Sequence, residues 1–281
     1  MGEDSTRRHE GHEGGRRDRE NGENLRGSTC MILMITVVVV IVGLLLLPCL
    51  MPLTAERGAA RATQCRNNLR EFGLALHNYH DEYGSFPPAF VVADDGIRVH
   101  SWRTLVLPYL DEGPLYKEYN FDEGWDGPNN SALGSGDEIY AGCCPSDRSI
   151  DNQRRLTNYV AVVGEETAWR PDGVRRIKDF KDGTSNTILL VEVTPASVNW
   201  FEPRDLDFDN MSFRINDPDR PSLSSHHVIK ADWSWEEKKR YVHVLMADGS
   251  SRRLPASTPP EVVRALLTID GGENVEVEWL D

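Results

Sequence analysis

Three hydrophobic patterns follow one another along the chain. From Met31 to Leu53 no residue carries a charge, and the stretch includes the run Val37 to Val42 and the run Leu44 to Leu47. About 23 residues at about 1.5 Å rise cross a hydrocarbon core of roughly 30 Å, which predicts a transmembrane helix over 30–53. Past Pro52 the pattern becomes two-sided. Cys65, Leu69, Phe72, Leu76, Tyr79 and Tyr83 recur at spacings of four, three, four, three and four, whereas Arg66, Asn67, Arg70, Asn78 and Asp81 take the other side. This is an amphipathic helix. Pro87 and Pro88 end it soon after Gly84. One helical element therefore starts in the apolar run and continues as a helix that must lay its apolar stripe on something.

The third pattern is short apolar runs between turn residues. Asn158 to Val163, Thr187 to Val193 and Tyr241 to Met246 read as strands. Asp248-Gly249 after the last of these predicts a hairpin into Arg252–Leu254, because glycine accepts the positive φ of a tight turn. Short helices are expected over Arg103–Leu110, with Trp102, Leu105 and Tyr109 on one face, and over Pro260–Leu267, where two prolines suit a helix start. The predicted class is α+β: a long N-terminal helix, transmembrane in its lower half and amphipathic above, packed on an antiparallel sheet as in a pilin, with a loop-rich C-terminal region.

Composition adds a third segment. Residues 1–29 are polar and rich in Gly, Arg, Glu and His, too poor in apolar area to offset chain entropy, and are expected to be disordered. The predicted organisation is thus 1–29 disordered, 30–53 transmembrane and 54–281 a pilin-like extracytoplasmic domain. Six arginines precede the span and four follow closely, which favours the N-terminus inside. An uncleaved anchor in the cytoplasmic membrane is expected, with a cleaved leader as the alternative: the apolar run exceeds an h-region, and Leu53-Thr54-Ala55 lacks a small residue at the minus-three position. From Thr54 onward 25 basic residues face 38 acidic ones, and so acidic a surface argues against nucleic acid as a partner.

Candidate chemistry changes this picture little. Cys30 and Cys49 belong to the apolar segment. Cys65 can pair with Cys144 or with Cys143 in an oxidising compartment, or all three can remain buried thiols. A zinc site would need four ligands at short spacings, which the chain lacks. His226, His227, His243 and Asp248 are ordinary metal ligands, but adjacent histidines diverge and Asp248 is explained by its turn. Asp205 to Asn210 has alternating carboxylates as in a calcium loop, yet no glycine at the sixth position, and Asn216 where the twelfth would be glutamate. Ser185 has no glycine elbow and no base that spacing identifies. His77 and His80 read as polar contacts at a helix edge. Trp233 and Trp235, in a charged loop, are a candidate contact surface. No catalytic, cofactor or metal residue is expected.

The stretches Cys65–His80, Ser101–Leu110, Cys144–Asp147, Asp182–Thr187, Ala247–Ser250 and Gly271–Glu273, in that order, resemble the planctomycete family catalogued as domain of unknown function 1559, whose members are similar to type II secretion pseudopilins. The resemblance runs from about Leu44 to the C-terminus. It implies a pilin-like fold, no established activity, and structural roles for Asn67, Asn68, Gly73, His77, Asn78, Pro145, Ser146, Asp147, Asp182, Gly183, Ser185, Asn186, Asp248, Gly249, Gly271, Gly272 and Glu273. Two features depart from the family pattern. No glutamate occurs between Met31 and Thr54, where a prepilin leader has one, and twenty residues stand between His227 and Asp248, more than in the family. The expected function is that of a non-enzymatic, membrane-anchored envelope protein whose partners are the membrane and related pilin-like subunits or secretion machinery. The alternative is a module binding a glycan or envelope component.

Overall fold

The computed structural model describes residues 14–133, 142–147, 149, 155–229, 239–273 and 275–280, with the backbone alone over 14–30 and 47–57. The chain divides into two compact units, Met1–Arg57 and Gly58–Asp281. Helix α1 is assigned over Gly14–Tyr83. Its assignment takes in residues expected to be disordered: no proline interrupts the sequence from Gly14 to Leu47, and extending an existing helix requires no new nucleus. Residues 1–13 lie outside the described residues. In the first unit every side chain from Met31 to Leu46 is exposed. Among the described residues no helix is long and apolar enough to cross a membrane. The side chains of Cys30 and of residues 47–53 of the expected span lie outside them.

In the second unit the C-terminal part of α1 packs as its periodicity predicts. Cys65, Leu69, Phe72 and Leu76 are fully buried, and Arg70, Asn78 and Asp81 are exposed. Tyr83, expected on the buried stripe, is instead 60% exposed and rests on the Tyr79 ring. Gly84, in the left-handed region at φ 77°, ends the helix.

The sheet under this stripe is built from β4 (Tyr159–Val160), β6 (Ile188–Glu192), β10 (Lys239–Met246) and β11 (Ser251–Pro255), in the order β11-β10-β6-β4, with β9 (Val228–Ile229) also pairing with β10. All these pairs are antiparallel. Strand alternation divides the core in two. Leu190 and Leu245 join the α1 stripe together with Tyr159, Trp102, Trp169 and Trp200. Val191, Val242, Val244 and Met246 join Val263, Leu266 and Leu267 of α4 (Pro260–Leu267) on the other side. The β10–β11 turn carries Gly249 at φ 82°.

Two local expectations are corrected. The run Asn158–Val163 is two strands, β4 and β5 (Val162–Val163), with β5 pairing in parallel with β8 (Leu206–Asp207). Ala161 between them gives its N–H to the Asp205 carboxylate at 2.7 Å, so the chain changes partner there. The helix expected over 103–110 is α2, Trp102–Val106, capped by Ser101 and followed by a 3₁₀ turn over Leu107–Tyr109. Pro108 cannot donate the next helical bond, and the buried side is Trp102, Val106 and Leu107, while Leu105 and Tyr109 are only half-buried. The remaining described strands and α-helix are β1 (Phe90–Val92) with β2 (Arg98–Ser101), β3 (Leu156–Thr157) with β7 (Val198–Asn199), and α3 (Gly113–Glu118), and two further 3₁₀ turns lie over Asn130–Ala132 and Ile177–Asp179.

Candidate functional site

The ionisable side chains that the fold buries together lie on the α1-facing side of the sheet. Cys65 comes from α1 and Cys144 from the loop before β3, and they are bonded as a disulfide across 79 residues. Cys144 rather than Cys143 is placed here by a set of loop contacts. The Asn158 carboxamide accepts the Cys144 N–H at 2.8 Å and donates to Asp147 at 2.8 Å and to the Val193 carbonyl at 2.8 Å. Asp147 also accepts from Ala196 N–H at 2.8 Å and from the Ser149 hydroxyl at 2.6 Å. Burial would raise this carboxyl, but these donors outweigh it and hold it below the usual carboxylate range. Asn68 on α1 donates to the Cys143 carbonyl at 2.7 Å, tying the same loop to the helix. Cys143 stays outside the bridge, with its sulfur 3.3 Å from the Leu156 carbonyl. Ser146 is half-buried with its hydroxyl 4.0 Å from the Cys65 sulfur, and Pro145 is exposed.

Beside the two sulfurs stands Glu192, the last residue of β6, 1% exposed. It shares strand parity with Leu190 and so points toward α1 rather than α4. Its Oε1 lies 3.0 Å from His227 Nε2, and its Oε2 lies 3.4 Å from Nδ1 of His243, a residue of β10. The His243 N–H also donates to Oε2 at 3.2 Å. Burial would raise the Glu192 carboxyl, but the two imidazoles beside it overcome that and bring it down to about 2. His243 is itself drawn below its usual value, chiefly by burial. His227 Nε2 is also 3.5 Å from the Cys144 sulfur, and the His227 ring stacks on Tyr241. Cys65, Cys144, Glu192 and His227 each offer one ligand-type atom, and all four atoms fall within 4.8 Å of one another.

Short spacing could not reveal this set, because its members are separated by 79, 83 and 35 residues. One signal was legible: a glutamate at an inward position of the apolar run Ile188–Val193. Of the histidine and aspartate set weighed from the sequence, His227 and His243 meet, with ring centroids 4.5 Å apart. His226 is exposed, and Asp248 caps its own turn by accepting the Ser250 N–H at 2.8 Å.

The other motif residues wire one end of the sheet. Asp182 accepts the N–H groups of Gly271 and Gly272 at 2.8 and 2.9 Å. Asn186 donates to the Asp182 carbonyl at 2.9 Å, and Gly183 holds φ 94°. Asp248 N–H bonds Thr184 O at 3.0 Å and Ala247 N–H bonds Thr187 O at 2.8 Å, joining that turn to the β10–β11 turn. His77 Nε2 lies 3.1 Å from the Ala247 carbonyl. Gly73 lets α1 approach this turn: a Cβ there would lie 3.2 Å from the Gly249 carbonyl oxygen. Ser185 and Asn67 are half-buried, whereas Asn78 and Glu273 are exposed. Trp233 and Trp235 lie outside the described residues.

A second buried ionic group was not anticipated. Arg103, fully buried, pairs with Asp205 and also donates to Ser101 Oγ at 2.9 Å and Tyr159 O at 3.3 Å. Burial pushes the Asp205 carboxyl up against the pull of Arg103 and lowers the guanidinium. Asp205 with Asp207, Asn210, Asn216 and Arg220 also lines an open cleft of about 620 Å³.

These motifs coincide with a family assignment. The chain matches the family described as "Protein of unknown function (DUF1559)" over residues 54–261. No curated protein and no solved structure matches it. With the match covering most of the chain, including every α1 stripe residue and all four residues of the buried cluster, the protein belongs to the DUF1559 family.

Proposed function

We propose that this chain is a non-enzymatic, single-span membrane protein that holds a pilin-like α+β domain outside the cytoplasm. The observation that carries this reading is the change of surface along α1. From Met31 to Leu46 the helix exposes apolar side chains all round, with Leu44 65% and Met34 66% exposed. A surface of that kind is costly in water and suits lipid. The uncharged sequence runs on to Leu53. From Cys65 the same helix buries one stripe only. The arginine excess before the apolar run supports an internal N-terminus, and a disulfide suits an oxidising compartment. A helix laid on an antiparallel sheet supports the pilin comparison. The partners proposed are the membrane and related pilin-like subunits.

The test is alkaline washing of membranes from cells producing the full chain, followed by protease treatment of intact spheroplasts. The expected result is retention in the washed pellet and digestion of the 58–281 unit by external protease. Release of the full-length protein into the wash, or full protection from the protease, would overturn the proposal.

The cleft of about 620 Å³ favours a second reading, a module binding a polar envelope component. A glycan array probed with the detergent-solubilised full chain tests it. Specific binding lost in Asp207→Ala and Asn210→Ala would support it, and binding lost only in Trp233→Ala with Trp235→Ala would move the site to that loop.

A further inference from the structure

We propose that Cys65, Cys144, Glu192 and His227 form a redox-gated site for a divalent cation of the zinc type, closed as a disulfide in the oxidised protein and open to metal once reduced. The inference goes beyond the anchoring role and does not rest on it.

The argument begins with what a disulfide does not need. A disulfide is uncharged and apolar, yet here a carboxylate and an imidazole are buried beside it, with the His243 imidazole next to that carboxylate. Burying a carboxylate costs several kcal/mol unless it is paired and hydrogen-bonded. Glu192 is 1%, His227 4% and His243 0% exposed. His227 Nε2 lies near two acceptor-type atoms at once, Glu192 Oε1 at 3.0 Å and Cys144 Sγ at 3.5 Å. A single N–H serves one of them, whereas a cation between the three groups would serve all. Two thiolates, one imidazole nitrogen and one carboxylate oxygen are a complete tetrahedral donor set for zinc. His243 supplies the second observation. Both of its ring nitrogens are fully buried and neither has a hydrogen-bond partner among the described residues, and its Nδ1 lies 3.4 Å from the outer oxygen of Glu192. That is the position of a group that orients a ligating carboxylate from behind.

The chemistry balances. A dithiol reductant passes two electrons and two protons to the Cys65–Cys144 bond, which breaks to two thiols while the reductant becomes a disulfide. On binding, zinc forms two Zn–S bonds and the two thiol protons leave to solvent. The sulfurs then stand about 3.8 Å apart, as two thiolates with Zn–S near 2.3 Å on one tetrahedral ion do. The acceptor is the chain's own bond, so no other oxidant is required.

The test uses the full chain in detergent, reduced with a phosphine and titrated with cobalt(II) and then zinc, beside the unreduced protein. The expected result is one cobalt per reduced chain, with tetrahedral d–d bands and sulfur-to-cobalt charge transfer, displaced by zinc and absent from the oxidised protein. His227→Ala and Glu192→Gln, which leave the disulfide in place during folding, are expected to weaken binding by at least about a hundredfold. His243→Ala should weaken it by about 10–100-fold, and Cys143→Ser should leave the spectrum unchanged. Any of three results would overturn the proposal: no cobalt uptake by the reduced protein, uptake that His227→Ala and Glu192→Gln do not alter, or loss of the fold on reduction that zinc does not restore.

Discussion

At the scale of single residues, the second unit is held by polar groups buried in pairs, and these respond to substitution more sharply than its surface does. Arg103→Ala would leave the Asp205 carboxylate buried with, among the described residues, the Ala161 and Trp102 N–H groups as its donors. The expected loss is about 3–5 kcal/mol of unfolding free energy in a denaturant titration. Breaking the exposed Arg264–Glu166 pair with Arg264→Ala should change stability by less than about 1 kcal/mol. Asp147 gives the pH dependence. Its folded-state pKa is depressed, so its contribution is present above the unfolded value of about 3.9 and is lost as pH falls through the lower folded value. Asp147→Asn should therefore be less stable than the parent at pH 7, with the gap narrowing as pH drops below about 4, as read by unfolding curves across that range. Residue-scale chemistry was the least legible level in the sequence. Arg103 follows Trp102 in a largely apolar run and Asp205 stands among charged residues 102 positions on, and nothing local says they meet. Glu192 was visible as an oddity in an apolar strand, but its partners come from β10 and from the segment before β9.

At the scale of elements, periodicity carried most of the information. The stripe Cys65, Leu69, Phe72, Leu76 is buried because its sequence spacing and the helical repeat coincide. Helix α4 and the β10–β11 hairpin were legible for the same reason: a period, with a start and a stop signal. The break at Ala161 was not legible, since the strand changes partner through a hydrogen bond to a carboxylate 44 residues away. Two glycines of α1 separate packing from propensity. A Cβ on Gly73 would lie 3.0–3.3 Å from Leu245 and the Gly249 backbone, so Gly73→Val should destabilise the protein by about 1–3 kcal/mol. A Cβ on Gly58 meets nothing within 4 Å, so Gly58→Ala should stabilise it by about 0.5–1 kcal/mol. Thermal unfolding of the two variants checks the opposite signs.

At the scale of the whole molecule, two units with different surfaces share one helix assignment. One presents apolar side chains on every side of that helix, and the other packs one face of a sheet on its stripe and α4 on the opposite face. The acidic balance was readable from composition and the apolar stretch from local residue order, because neither depends on tertiary contacts. The tethering role proposed here requires that the apolar stretch stays on the protein. The most direct measurement is the intact mass of the protein extracted by detergent from washed membranes. The expected result is a single species that still contains residues 31–53 and the polar segment before them. A mature species beginning at or beyond Thr54 and recovered in the soluble fraction would contradict it.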